Sequence, residues 1–322
     1  MPKNDEPLYL GIDLGGTNMQ CGVCRGHEVL ARDGAKTKAE EGRDDVLSRM
    51  VELIDRVCEE AGVKRGDVSG LGIGAPGAID VHKGVMLKGG NIGWSDFPLR
   101  DALSELTGMP VTVDNDVNVA AWGEQQAGAG RGHDDLIAIW VGTGIGGGLV
   151  LNGSLYHGSR STAGEIGFTV LNADGVLGRR YFEHLASRTS VVHHLQRMLM
   201  ANHESVVPEL VDGKLSKVRS KVLGKAVAAE DPLTREVISI AARYVGVGAA
   251  NAVTLLSLPC VVLGGGLTEA VGDFFVDAVR ESFKANVFPH HLQSCKIVAS
   301  ELEDDAGVIG AALLARERLS GG

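Results

Sequence analysis

Cysteine is scarce and scattered: five residues in 322, at Cys21, Cys24, Cys58, Cys260 and Cys295. Cys21 and Cys24 form a C-x-x-C, but no second Cys or His pair lies near enough in the sequence to complete a zinc or redox motif. They fall in an apolar stretch that reads as a strand, where residues three apart face opposite sides. Reduced thiols, and with them a cytoplasmic protein, are the expectation. An excess of positive charge is also missing. Lys and Arg number 31 against 41 Asp and Glu, a net charge of −10. That excludes a general nucleic-acid binder, which needs a basic face, though local amides and a cation can still hold a small anion. Residues 1–7 are polar and lack a signal-peptide core. The first strand starts so early that no DNA-reading helix-turn-helix is expected ahead of it. The one long uncharged run, residues 244–268, is interrupted by Asn251, Pro259 and Gly264 to Gly266. It reads as a buried helix followed by a buried strand, not a membrane span.

What is present is a globular composition with much glycine. The length favours two domains, and the 44% of hydrophobic residues can fill their cores. The 45 glycines cluster, which marks tight turns or backbone close to a ligand. Residues 8–14 read as a buried strand, 19–24 and 27–36 as further extended segments, and 71–75 and 111–113 as short strands. Val46, Leu47, Met50, Leu53, Ile54 and Val57 recur at helical spacing and predict a helix over 44–61. Residues 98–106 and 117–126 also read as helices. The opening pattern then recurs. Residues 136–141 form a strand, Gly142 to Gly144 a turn, 147–151 a strand, and Asn152-Gly153 a hairpin signal. The interval from Gly15 to Gly26 equals that from Gly142 to Gly153, so the chain reads as two related halves. Residues 189–247 read as mostly helical, 260–263 as a strand, 268–283 as a helix and 296–299 as a last strand. A small-residue-rich helix over 306–319 is expected to pack back on the first domain.

Five motifs carry chemistry. Gly15, Gly16, Thr17 and Asn18 offer backbone amides and a hydroxyl to phosphate oxygens, and Asp13 at the strand end can hold Mg²⁺ directly or through water; a plain hairpin would use the same residues. Gly142, Gly144 and Gly147 satisfy the G-x-G-x-x-G dinucleotide fingerprint, but a hairpin, not a helix, follows. A second phosphate loop with Thr143 and Gly144 is therefore preferred to a dehydrogenase site. Gly264, Gly265 and Gly266 join a strand to a helix and make either a nucleotide pocket or a tight connection. Asp114, Asn115, Asp116 and Asn118 bunch between a strand and a helix. One of them is expected to cap the helix, with Asn115 orienting sugar hydroxyls and Asp116 accepting the proton of the attacking one. Glu165, between glycines in an uncharged stretch, can bind vicinal hydroxyls; Glu183 reads equally as a surface acid.

In this order, residues 11–17 (GIDLGGT), 74–79 (GAPGAI), 91–94 (NIGW), 115–118 (NDVN) with Gly123 and Glu124, 142–148 (GTGIGGG), 163–167 (AGEIG), Gly264 to Gly266 and 305–312 (DAGVIGAA) resemble the ROK family (repressors, open reading frames, kinases), especially its glucokinase-like sugar kinases. The resemblance covers nearly the whole chain. It implies an actin-like, hexokinase-type (ribonuclease H-like) duplicated fold of two α/β domains around a cleft, here residues 1–117 with 304–322, and residues 118–303. It implies ATP and Mg²⁺ as cofactors, a hexose or hexose derivative as substrate, and a homodimer. By it Asp116 is the catalytic base, Asn115, Glu165 and Glu183 are sugar ligands, Gly77 and Asn91 line the sugar pocket, and the glycine turns hold ATP. Three positions depart from the pattern. Phe168 stands where such kinases carry a His that is commonly a sugar contact. Residues 169–182 hold no Cys where a zinc loop is usual, so no structural zinc is expected. Asn18 replaces a frequent Lys. The expected activity is ATP-dependent phosphorylation of a hexose hydroxyl. The competing expectations are a non-catalytic sugar-sensing regulator of the same fold and a kinase that uses polyphosphate.

Overall fold

The computed structural model describes residues 6–90 and 92–320. Strands β1 (Leu8–Leu14), β2 (Asn18–Arg25) and β3 (Glu28–Lys36) precede helix α1 (Arg43–Glu60). Next come β4 (Val68–Ala75), β5 (Ala78–Asp80), β6 (Val85–Gly89), β7 (Trp94–Phe97), α2 (Leu99–Thr107), β8 (Val111–Asn115) and α3 (Asp116–Ala127). The second half runs β9 (Leu136–Val141), β10 (Ile145–Leu151), β11 (Ser154–Leu155), α4 (Phe182–Ala186), α5 (Arg188–Met200), α6 (Val207–Leu210), α7 (Ser220–Ala228) and α8 (Pro232–Leu256). It closes with β12 (Cys260–Gly264), α9 (Gly266–Val271), α10 (Asp273–Asn286), β13 (Lys296–Ala299) and α11 (Ala306–Ser320). The chain divides into two compact units. One comprises the residues up to Gly132, Gly148–Ala163 and those from Asp304 on; the other is His133–Gly147 with Gly164–Glu303.

Two five-stranded sheets have the same plan, β3-β2-β1-β4-β8 and β11-β10-β9-β12-β13. In each, the first strand of the half pairs in parallel with a later strand, β1 with β4 and β9 with β12, which itself pairs in parallel with the next, β8 or β13. The duplication read from turn spacing is thus a duplication of topology. The Asn152-Gly153 hairpin has both residues at positive φ, 54° and 71°, as a type I′ turn requires.

In the first unit β1 is covered on both faces. Leu8, Leu10, Ile12 and Leu14 enter a core with Val46, Met50, Leu53, Ile54 and Val57 of α1. Tyr9, one pleat over, packs with Val308, Ala312 and Ala315 of α11 and with Cys24. Cys21 belongs to the first cluster, so the two thiols of the C-x-x-C do face opposite sides, and both are free. Helix α11 lies on bare backbone. A Cβ on Gly11 would meet Val308 O at 1.9 Å, one on Gly72 would meet Ala311 O at 1.8 Å, and one on Gly310 would meet Val119 O at 1.7 Å. These contacts lock α11 against β1, β4 and α3, and so fix the start of α3.

Three departures from the sequence reading have local causes. A third sheet, β5-β6-β7, goes unread because its strands of three to five residues are too short to show alternation. The single helix expected over 268–283 is two, α9 and α10, split where Gly272 takes φ 65°. Strand β8 runs two residues past Val113, because Asp114 is buried and satisfied. Helix α8 is long and apolar enough to cross a membrane by composition, yet one face of it, from Leu233 through Val237, Ala241, Val245 and Ala249 to Val253, is buried within the protein.

Candidate functional site

The β8–α3 junction is organised by its polar residues. Asn115 is the N-cap of α3: its Oδ1 accepts from the Val117 N–H at 2.9 Å and the Asn118 N–H at 3.2 Å, satisfying two orphan amides of the first turn. Its Nδ2 donates to Gly77 O at 3.1 Å. Gly77 has φ +94°, and a Cβ there would sit 2.1 Å from Lys88 O, so only glycine fits. Asn115 and Gly77, separated by 38 residues, are therefore neighbours. Asn91, the other pocket-lining expectation, lies outside the described residues. Asp116 opens α3, half-buried, and its Oδ1 accepts from the Val117 N–H at 3.0 Å.

Asp114, which the sequence did not single out as a site residue, anchors this junction. It is fully buried. Its Oδ1 accepts from Asn118 Nδ2 at 2.9 Å and the Asn115 N–H at 2.8 Å; its Oδ2 meets His157 Nε2 at 2.7 Å and Arg318 Nη2 at 2.6 Å. Burial works to raise its pKa, but the His157 hydrogen bond, the Arg318 charge and the Asn118 amide outweigh it and hold the carboxyl below its ordinary value.

The first glycine turn lies at the end of β1. The Gly15 N–H donates to Asn18 O at 2.9 Å. Thr37 braces the turn, its Oγ1 donating to Gly15 O at 2.6 Å and its N–H to Thr17 O at 2.9 Å. Thr17 and Asn18 are exposed and Gly16 half-buried; Asn18 Oδ1 accepts from Lys36 Nζ at 2.8 Å. Asp13, just before the turn, has its pKa raised to about 7 by burial, then by the Asp116 and Asp304 charges. Its carboxylate abuts Gly307, where a Cβ would lie 2.6 Å from Asp13 Oδ2. Asp13, Asp116 and Asp304 are thus close enough for their charges to interact at this end of the first unit. Mg²⁺ takes one or two protein carboxylates and completes its shell with phosphates and water. Among the described residues no group of three or more His, Cys, Asp or Glu side chains could hold a metal ion.

In the second unit the other two glycine motifs are adjacent. Gly264 pairs with Trp140 at the end of β9, and Gly265, at φ +86°, leaves a Cβ only 2.8 Å from the Val141 N. Gly266 begins α9. The Gly142–Gly144 turn follows β9 directly, closed by Gly142 N–H to Gly144 O at 2.9 Å. Thr143 is exposed; its Oγ1 accepts from Arg188 Nη2 at 2.8 Å and its carbonyl from Thr189 Oγ1 at 2.7 Å. Glu183 backs the turn, with Oε2 accepting from the Ile145 N–H at 2.9 Å and filling the space a Cβ on Gly144 would need. Beside the turn is a cavity of about 250 Å³ lined by Arg188, Thr189, His193, Gln196, Ser216 and Arg219. Burial, then the Arg219 charge, lower the Arg188 pKa, so two cations share this cavity. Glu165 is exposed as a residue, yet partial desolvation of its carboxyl and the Glu183 charge raise its pKa, which puts these two predicted sugar ligands in one neighbourhood. The arginine pair was not foreseen; the Ser187-Arg188-Thr189 run at the start of α5 was the available signal.

Comparison with known proteins gives matches over nearly the whole length. The ROK family model covers residues 9–318. A glucokinase from Halalkalibacterium halodurans is 33% identical over 316 residues, 96% of this chain and 95% of that one. A xylose repressor from Caldicellulosiruptor bescii is 28% identical over 96% of this chain and 78% of its own. Among solved structures, a ROK family glucokinase from Streptomyces griseus in complex with glucose and AMPPNP superposes with TM-score 0.87 at 31% identity, covering 96% of this chain and 99% of that one. The protein thus belongs to the ROK family and has its actin-like, hexokinase-type α/β fold.

Proposed function

We propose that the protein is an ATP-dependent sugar kinase that phosphorylates a hexose or hexose derivative. The observation that carries this reading is the position of Asp116. It is a half-buried carboxylate at the N-terminus of α3, next to an asparagine tied to Gly77 and electrostatically coupled to Asp13. The glucokinase relative at 33% identity and the AMPPNP of the Streptomyces griseus neighbour support the reaction class and ATP over polyphosphate. In this mechanism Asn115 Nδ2 and Glu165 orient the acceptor, Glu183 adding the carboxylate oxygen not engaged with Ile145, and Gly77 lines the sugar site. Asp116 takes the proton of the attacking hydroxyl. Amides of Gly15, Gly16, Thr17 and Asn18, and of Thr143 and Gly144, receive the donor's phosphates, while Gly264, Gly265 and Gly266 give the nucleotide bare backbone. Mg²⁺, when bound through Asp13, would neutralise charge developing on the transferred phosphoryl group. A cytoplasmic homodimer accords with the family resemblance.

In a coupled ATP/hexose assay Asp116→Asn should lower kcat by about 10² or more. Turnover within about tenfold of wild type, about 1.4 kcal/mol in barrier, would overturn the assignment. The xylose repressor relative keeps a second reading in view, a sugar sensor without catalysis. It predicts calorimetric sugar binding with no sugar-dependent ADP release. A panel of glucose, mannose, fructose, allose and N-acetylated hexosamines identifies the acceptor.

A further inference from the structure

The backbone of His157 is braced on both sides. The Tyr156 N–H donates to Leu149 O at 2.9 Å, tying the chain to β10, and His157 O accepts from the Ala163 N–H at 3.1 Å, closing the loop of residues 158–162. From this support the side chain, 16% exposed, brings Nε2 to 2.7 Å from Asp114 Oδ2. Asp114, held below its ordinary pKa, is ionised at neutral pH. A carboxylate only accepts, so His157 Nε2 carries the proton and donates.

Charge alone does not explain this ring. Arg318 already meets Asp114, Nη2 to Oδ2 at 2.6 Å, and one guanidinium neutralises one carboxylate. What the ring adds is direction. A guanidinium favours taking both oxygens of a carboxylate, which here would turn Oδ1 away from the Asn115 N–H at 2.8 Å and Asn118 Nδ2 at 2.9 Å. Instead Arg318 Nη1 goes to Thr112 Oγ1 and Val113 O, at 3.3 and 3.4 Å, and His157 shares Oδ2 with Nη2. Each carboxylate oxygen thus has two donors, and rotation would break bonds at both. Oδ1 holds the residues that flank Asp116: Asn115, which caps α3 through the Val117 and Asn118 amides, and Asn118 itself. The line of hydrogen bonds from His157 to the first turn of α3 is unbroken and lies wholly in the first unit. Building on the sugar-kinase reading, we propose that His157 is a positioning residue, which orients the Asp114 carboxylate and through it the first turn of α3, so that Asp116 meets the acceptor hydroxyl in one fixed direction.

The test compares wild type, His157→Ala and His157→Gln by coupled ATP/hexose assay and by amide hydrogen exchange read by NMR. In His157→Ala, Arg318 still balances the Asp114 charge, so the fold should persist. Its kcat should fall about tenfold or more, as misplacement of a reacting group does, with KM for sugar and ATP within about threefold of wild type. Its Val117 and Asn118 amides should exchange about tenfold faster, while those of the last turn, Glu124 to Ala127, keep their wild-type rates. Glutamine can place an N–H where Nε2 stands, so His157→Gln should recover both kcat and exchange to within about threefold. Should His157→Ala not fold, His157→Asn, whose shorter amide does not reach Asp114, takes its place. An unchanged kcat, a loss confined to KM, or a His157→Gln as impaired as His157→Ala overturns the inference. Exchange separates this from failure of the kinase reading. Faster exchange at Val117 and Asn118 in His157→Ala, restored by His157→Gln, in a protein that phosphorylates no sugar, upholds the positioning of α3 and sinks the kinase; unaltered exchange sinks the positioning role whatever the activity.

Discussion

The two glycine turns have the same place in two sheets of the same plan, yet their electrostatics are opposite. The turn at Gly15 is braced by Thr37, with Lys36 on Asn18 at its far end, and follows Asp13, whose pKa is held near 7 by burial and then by the Asp116 and Asp304 charges. The turn at Gly142 is braced by charged residues, Glu183 and Arg188, and adjoins the Arg188–Arg219 cavity. Duplicated backbone thus carries divergent side chains, and in the kinase reading proposed above the acidic turn would serve a cation and the basic turn an anion.

The acidic side of this comparison stands on Asp114, a fully buried carboxylate bonded to Arg318 and His157. Asp114→Asn would leave Arg318 without its partner and should cost about 3–5 kcal/mol of stability at neutral pH, the range for a broken buried pair, read by urea denaturation. The sign of the pH dependence follows from the lowered folded-state pKa. The contribution of Asp114 is complete above its unfolded value and is lost as pH falls through the lower folded one, so wild type and variant should converge below about pH 4. A constant gap down to pH 2 would contradict this account.

Charge changes at the two turns should part company kinetically. Asp13→Asn should lower kcat about a hundredfold and weaken the Mg²⁺ dependence of turnover. Arg188→Gln should act chiefly on the KM for ATP, raising it about tenfold, the scale of one charge-assisted hydrogen bond. If both variants change the same parameter, the division into a cation turn and an anion turn fails.

The smallest effects test the turns as backbone. A Cβ on Gly15 would meet the Asn18 carbonyl oxygen at 2.7 Å, whereas one on Gly144 would meet the end of the Glu183 side chain at 2.1 Å. A side chain moves more cheaply than a turn. Thermal melts should therefore show Gly15→Ala costing about 1–3 kcal/mol and Gly144→Ala under about 1 kcal/mol. Gly144→Ala should nonetheless lose activity, because Glu183 must leave Ile145. Equal losses of stability would mean that both turns are equally rigid.

Much of this was legible in the sequence where the signal is periodic or repeated. Helix α1 showed its buried face at Val46, Met50, Leu53 and Val57, and equal turn intervals foretold equal sheet orders. Clustered polar residues marked the start of α3, but not their separate tasks. Asp114 is set apart by its full burial and by Arg318 and His157, which reach it from distant segments. Likewise the hydrogen bond from the Ile145 N–H to Glu183 spans 38 residues, and Arg188 and Arg219 meet around one cavity from separate segments. Such pairings are products of tertiary folding, and no local pattern announces them.

The close seating of α11 on Gly11 and Gly72 has a consequence for biosynthesis. The sheet built from residues 8–115 emerges from the ribosome nearly 200 residues before the helix that covers its second face. Until residues 306–320 arrive, Tyr9 and Cys24 lack their packing partners and a strip of bare strand backbone is open to other chains. The nascent first unit is therefore the stage at which this protein most needs protection from aggregation.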